Sequence, residues 1–295
     1  MKQMENEKWK KSVITREEII KLHEILSGRM VEEMVLVNNG NAEVEVIIDG
    51  EKHIFVDSVI SLLEVLSDYC HLADHIPKAK TEVGLKIAEL LKLFNSRTCQ
   101  LVLGAGAVSI AGLKTITIRN LGVTLRSLNL VAKILPVVRQ HLLNPSKDLT
   151  EKQRVNLAKH FDSADKDYRE HQGEIERKII QIVDDALTQQ LENWQLQPPV
   201  PSPSFQSIGK QLTKFYEAIH DIIPPTKISN IFKTIHLTFL SRVSDKLEAG
   251  EGIADTSPTR CLVMSELIFY RENLKYLDVV AEEMLSNDAL AVVWV

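Results

Sequence analysis

Leucines recur at every seventh position in the middle of the chain, at Leu121, Leu128, Leu135 and Leu142, with Thr124, Val131 and Val138 in the intermediate seam positions. That spacing holds one helix face against a partner, whereas a period-two strand would scatter the same residues over both faces. Arg119, Arg126 and Lys133, also seven apart, fall on the opposite face. The stretch from Arg97 to Leu143 therefore reads as one long helical element. Its Leu101–Val108 portion, LVLGAGAV, taken alone looks like a strand entering a glycine turn.

The flanking sequence is a succession of amphipathic helices. Thr15 and Glu18 form a capping-box pair, which predicts a helix through Ile19, Leu22 and Ile25 or Leu26 that stops near Ser27 or Gly28. EVEVIIDGEKHIFV, residues 43–56, carries two β-rich runs joined by Asp49-Gly50 and predicts the one β-hairpin of the chain. Helices are expected next over Asp57–Leu72 and around Leu85–Phe94. A second long helix is expected from Thr150 to Trp194. Its early face, Phe161, Asp165, Tyr168 and Gln172, is only partly apolar, and packing should tighten toward Ile175, Ile179, Ile182 and Ala186.

Four prolines in Gln197–Pro203 force an extended connection, after which Ser202-Pro203 supplies an N-cap and a first-turn proline. Apolar stripes follow on three more helices: Phe205, Ile208, Leu212, Phe215, Ile219 and Ile222; then Ile228, Ile231, Ile235, Phe239 and Val243; then Met264, Leu267, Tyr270 or Arg271, Leu274, Leu277 and Ala281. The fold class is all-α, a helical rod or bundle with a small hairpin. Three segments are expected: 1–96 helical with the hairpin, 97–197 with the long central helices, and 198–295 as a bundle beyond the proline linker.

Charge is segregated. The chain carries −5 net, yet Leu90–Lys147 holds eight Lys or Arg and no acid, so the remainder carries −13. Lys114, Arg119, Arg126 and Lys133 are the candidate contacts for an acidic protein or an anionic lipid surface. A solvated outer face is the blander reading of the same stripe. Nucleic acid fits poorly, because no aromatic residues interleave the stripe and the chain is acidic.

The glycine turn is the one enzymatic signature. Gly104-x-Gly106 lacks the third glycine of a dinucleotide fingerprint, with Ser109 in its place, and no Asp or Glu follows until Asp148. Gly104, Gly106 and Gly112 are read instead as small residues that admit a neighbouring helix, with nucleotide binding at Gly104–Gly106 as the alternative. His160, Asp162, Asp165, Asp167, His171 and Glu174 match neither a zinc nor a calcium pattern. Cys70, Cys99 and Cys261 lie too far apart in sequence for a disulfide framework or a metal motif. No catalytic residue, metal or cofactor is expected. The first dozen residues lack the apolar run of a signal peptide, and Thr98–Leu113, the longest uncharged apolar segment, is short for a bilayer.

Four segments carry a resemblance: FNSRTCQLVLGAGA (Phe94–Ala107), GLKTITIRNL (Gly112–Leu121), HFDSADKDYREH (His160–His171) and PPVPSPSF (Pro198–Phe205). Together with the order of hairpin, glycine-rich segment, long helices and proline linker, they resemble the C-terminal half of the vacuolar protein sorting-associated protein 54 family, over roughly Glu5 to Leu285. The resemblance implies a non-enzymatic subunit of the Golgi-associated retrograde protein (GARP) complex, a tether for endosome-derived vesicles at the trans-Golgi network. Implied partners are the other subunits of that complex and SNAREs or endosomal membrane factors, with peripheral contact at the cytoplasmic face of the membrane. The family's N-terminal coiled-coil portion has no counterpart in these residues, and Ser286–Val295 does not follow the family's ending.

Overall fold

The computed structural model describes residues 36–38, 42–48, 51–54, 57–103, 115–144, 149–249 and 257–286. Among them are three strands, β1 (Leu36–Asn38), β2 (Ala42–Ile48) and β3 (Glu51–Ile54), followed by seven α-helices and two short 3-10 turns, Pro77–Ala79 and Glu282–Leu285. The helices are α1 (Asp57–His75), α2 (Lys80–Gln100), α3 (Ile118–Leu143), α4 (Glu151–Glu192), α5 (Pro203–Ile219), α6 (Pro225–Glu248) and α7 (Ser257–Leu277). The sheet corrects the expectation of a lone hairpin. β2 pairs antiparallel with β3, Ile48 opposite Glu51, and β1 pairs antiparallel with the other edge of β2, so the order is β1-β2-β3. The helix expected over residues 15–27 lies outside the described residues.

The chain forms two compact units. The first comprises residues 1–116 and 123–173, the second residues 117–122 and 174–295. The division falls inside α4 rather than at the proline segment, because Trp194 near the end of α4 packs against Phe205 of α5, ring centroids 5.1 Å apart.

In the first unit α1 and α2 pack together with α3 and the early part of α4. Leu66, Ile87, Leu91, Leu125, Leu128, Phe161 and Tyr168 are fully buried. The heptad leucines behave as their spacing requires: Leu128, Leu135 and Leu142 are enclosed here, and Leu121 is enclosed in the second unit. By length and composition α3 could cross a bilayer, yet its apolar side chains are mostly covered by protein. Residues 97–143 are not one helix, however. α2 ends at Gln100 and α3 begins only at Ile118. Thr117 is the reason at the second boundary: its Oγ1 accepts from Asn120 N–H at 3.2 Å while its own N–H donates to Asn120 Oδ1 at 2.9 Å, a reciprocal cap that starts a helix.

α4 starts in the same way. Thr150 N–H donates to Gln153 Oε1 at 2.9 Å, and Gln153 N–H donates back to Thr150 Oγ1 at 3.4 Å. Its buried seam is Leu157, Phe161, Ala164, Tyr168, Ile175, Ile179, Val183, Leu187 and Leu191, so the early half is as well packed as the late half, contrary to expectation. Asp165 and Gln172 sit only half-buried beside that seam.

The close approach of α2 to α4 depends on Gly84. A Cβ at that position would lie 2.8 Å from Leu157 Cδ2 and 2.9 Å from its Cδ1. Leu157 can swing away from one methyl group but not from a large side chain. Gly84→Ala should therefore cost little and Gly84→Leu about 1–3 kcal/mol, read as a drop in the urea midpoint. Equal midpoints for Gly84→Leu and the unaltered chain would show that the contact is slack.

In the second unit the stripes on α5 and α6 are buried as read: Phe205, Ile208, Leu212, Phe215 and Ile219, then Ile228, Ile231, Ile235, Phe239 and Val243. On α7 the inward residues are Val263, Leu267, Tyr270, Leu274 and Leu277, which settles the choice at 270/271 for the tyrosine, while Met264 is only half-buried and Ala281 lies exposed beyond the helix end.

Candidate functional site

Helix α2 and a turn lead toward the glycine segment, where a nucleotide unit would need a strand. α2 closes at Gln100, and Leu101–Leu103 form a turn in which Val102 and Leu103 N–H both donate to Cys99 O, at 3.0 and 2.9 Å. A dinucleotide cradle requires a strand to enter the turn and a parallel sheet behind it. The strand pairings among the described residues are all antiparallel. Gly104, Gly106 and Gly112 themselves, and Lys114, lie outside the described residues. Millimolar NAD or ATP is expected to leave the melting temperature unchanged, since a ligand at 100 times its Kd would stabilise by about 2.7 kcal/mol. A saturable rise in melting temperature would overturn that expectation.

The remaining basic residues do not form one open cationic stripe. Arg119 is exposed and holds Asp221 bidentately, Nη1 to Oδ1 at 3.3 Å and Nη2 to Oδ2 at 3.2 Å. With both side chains about half in solvent, such a pair is worth about 0–1 kcal/mol. Arg126 and Lys133 are half-buried, and each already engages another group. The seven-residue count missed this because α3 is enclosed on most of its circumference: Leu125, Ser127, Asn129, Leu130 and Ile134 are buried together with the heptad seam.

The acidic and histidine cluster of α4 is divided among cations. Asp162 pairs with Arg139 at 3.1 Å, Asp167 with Lys92 at 3.6 Å, and Asp165 with Arg169 one turn along the same helix. Lys92 Nζ also donates to Ser163 Oγ at 2.6 Å. Among the described residues no three His, Cys, Asp or Glu side chains converge on a metal-sized site.

Two polar constellations in the second unit have no counterpart in the sequence reading. The first is the start of α5, where both oxygens of Glu266 accept from Ser202 N–H at 3.0 and 3.1 Å, and Ser202 Oγ accepts from Phe205 N–H at 3.3 Å. Glu266 is only 1% exposed. Its carboxylate rests at the positive end of a helix, where exposed N–H groups compensate burial of an anion.

The second is His236 on α6, equally buried, whose ring stacks on Tyr270 with centroids 5.8 Å apart and planes 12° apart. Its Nε2 lies 3.1 Å from Met284 O and its Nδ1 3.3 Å from Tyr270 Oη. A carbonyl can only accept, so Nε2 carries the proton and Nδ1 accepts from the tyrosine. Burial holds the imidazole below its ordinary pKa. A histidine with a depressed folded-state pKa stabilises fully above the unfolded value of about 6.5 and loses that stability as pH falls through the folded value. Between about pH 7.5 and about pH 5.5 the unaltered chain should therefore lose more melting temperature than His236→Gln. Parallel losses in the two proteins would remove His236 from the pH dependence.

An open groove of about 520 Å³ lies along α5 and α7 in the same unit, lined among others by Gly209, Lys210, Lys214, Phe269 and Asn273.

Comparison with known proteins supplies a family. The sequence profile of a family described as Vps54-like protein matches residues 50–186. Vacuolar protein sorting-associated protein 54 of Mus musculus is 35% identical over 277 residues, covering 93% of this chain and 28% of its own length. The Drosophila melanogaster relative of the same name is 33% identical over 260 residues, covering 88% of this chain and 26% of its own. The chain thus spans less than a third of the length of the curated relatives it matches. A solved structure described as the C-terminal domain of the Vps54 subunit of the GARP complex is 32% identical, with 45% of this chain and 99% of that chain covered and a TM-score of 0.39. A second, described as the Vps54 C-terminal domain, is 31% identical with a TM-score of 0.41, covering 48% of this chain and 98% of that one.

Proposed function

Because the chain belongs to the Vps54 family, we propose that it acts as a non-enzymatic part of a vesicle-tethering subunit, working through protein and membrane contacts in retrograde transport from endosomes to the trans-Golgi network. The observation that carries this reading is the continuity of the match, 35% identity maintained over 93% of the chain. In this reading the partners are the other subunits of the GARP complex, together with SNAREs or endosomal membrane factors. The place of action is the cytoplasmic face of the trans-Golgi network and endosomes.

The physical properties suit such work. A tether holds surfaces together by binding, so its requirements are stable cores and exposed recognition faces rather than an activated nucleophile. Each unit has its own buried apolar seam. Arg119 is the member of the basic set best placed to meet an anionic partner, exchanging a weak surface pair with Asp221 for a new one.

Expression of the tagged chain in cells tests the reading. It should fractionate with endosomal or trans-Golgi membranes and be released by added salt, as an electrostatic contribution requires. Diffuse cytosolic distribution, indistinguishable from that of an inert helical protein, would overturn it.

A further inference from the structure

α5 and α7 run side by side in the same direction: Ser202 meets Glu266, and seven residues further along both helices Gly209 meets Asn273. The second approach is close because position 209 has no side chain; a Cβ there would lie 2.9 Å from Asn273 Oδ1. Above this contact lies the groove. Two of its polar groups are already satisfied within their own helices: Thr213 Oγ1 donates to Gly209 O at 3.1 Å, and Asn273 Nδ2 donates to Phe269 O at 2.8 Å. With Gly209 itself buried beneath Asn273, the half-buried ring of Phe269 and the aliphatic stems of two lysines remain as its apolar surface.

Those lysines are the informative residues. Lys210 and Lys214, one turn apart, are both exposed at the groove, and neither has an ion-pair partner among the described residues. Some cations of the unit are matched, Arg119 to Asp221, Lys227 to Glu176 and Arg242 to Asp184, whereas Lys210 and Lys214 stand unmatched at the lip of an apolar groove. Tyr276, 86% exposed, follows Phe269 and Asn273 on the same face of α7 and extends the apolar strip. Two unmatched ammonium groups beside a small apolar trough, on a chain of net charge −5, are complementary to an acidic ligand that also carries apolar side chains.

We propose that this groove docks a short acidic peptide segment of a partner protein. One of the peptide's apolar side chains lies against Phe269 and the lysine stems, and its flanking carboxylates meet Lys210 and Lys214. The proposal deepens the tethering function and rests on it only for the origin of the peptide.

The test uses the full chain and a fluorescein-labelled peptide of alternating glutamate and phenylalanine, followed by anisotropy. Saturable binding is expected, weakened about tenfold or more when glutamine replaces the glutamates and when the chain carries Lys210→Glu with Lys214→Glu. A second variant of equal charge, Lys178→Glu with Lys233→Glu, alters exposed lysines outside the groove and should bind within about twofold of the unaltered chain. Circular dichroism of both variants should match that of the unaltered chain. Equal loss in the two variants, or no saturable binding of the acidic peptide, overturns the proposal. So does binding of phosphatidylserine–phosphatidylcholine vesicles through Lys210 and Lys214 without peptide binding, which makes the face a lipid contact. A chain that reaches membranes in cells but binds no peptide defeats the groove and leaves the tethering function standing; peptide binding by a chain that stays diffuse does the reverse.

Discussion

Tyr168→Ala is expected to destabilise the first unit by about 3–5 kcal/mol, the usual range for emptying a fully enclosed aromatic site. Tyr168 has no exposed surface, and its hydroxyl donates to Leu91 O at 2.9 Å, tying the middle of α4 to α2. Burial drives its phenol far above the ordinary range, so it remains a neutral donor throughout the stability range of the protein. The alanine leaves a cavity between two long helices that cannot collapse without bending one of them. Tyr168→Phe keeps the ring and removes the hydrogen bond alone, at a cost of about 0.5–1.5 kcal/mol. Hydrogen exchange of the α2 and α4 amides reads the effect within the first unit. Exchange unchanged by the alanine would mean that Tyr168 does not hold these helices together.

Tyr270→Ala should cost about 3–5 kcal/mol in the second unit for the lost ring, and up to about 1–3 more because His236 Nδ1 loses its donor. Tyr270 stacks on Phe239 with centroids 4.3 Å apart and planes 25° apart, and on His236 from another side. Phe239 in turn meets Phe205 at 6.0 Å, and Phe205 meets Trp194. The tyrosine thus belongs to an aromatic chain that joins α5, α6 and α7 to Trp194, just beyond the end of α4. Tyr270→Phe preserves the stack and separates ring from hydroxyl. Amide exchange in α6 and α7 should accelerate far more in the alanine variant than in the phenylalanine variant; comparable acceleration in both would place the energy in the hydroxyl.

The parts of the fold that the sequence disclosed are those where a local signal and burial coincide. Ser202-Pro203 and the stripe from Phe205 to Ile219 marked α5 because cap, proline and period agree. The heptad on α3 was correct about what is buried and misleading about what is open. Seven-residue counting defines a seam, while a helix enclosed on several sides also buries Asn129 and Leu130 and draws Arg126 and Lys133 partly inward. On α4 the repeat drifts, so inward positions pass to Ala164, Val183 and Leu187 instead of Asp165, Ile182 and Ala186. The helix start at Ile118 is marked by Thr117 and Asn120, a legible cap within an otherwise apolar run.

The groove had no local signature. Gly209 on α5 and Asn273 on α7 are brought together only by helix packing, and Lys210 and Lys214 read along the sequence as ordinary solvated residues. Glu266 is concealed for a related reason. Its partner is the backbone N–H of Ser202 at a helix start, a charge that no side-chain pattern displays.

Segment exchange addresses the functional claim most directly. The matching region of the Mus musculus relative, 28% of that protein, can be replaced by this chain in cells that lack the relative's own gene product. The account predicts that the exchanged protein assembles with the other subunits of the complex and restores retrieval of a cycling cargo to the trans-Golgi network. Assembly at normal levels with cargo still dispersed in endosomes would contradict it.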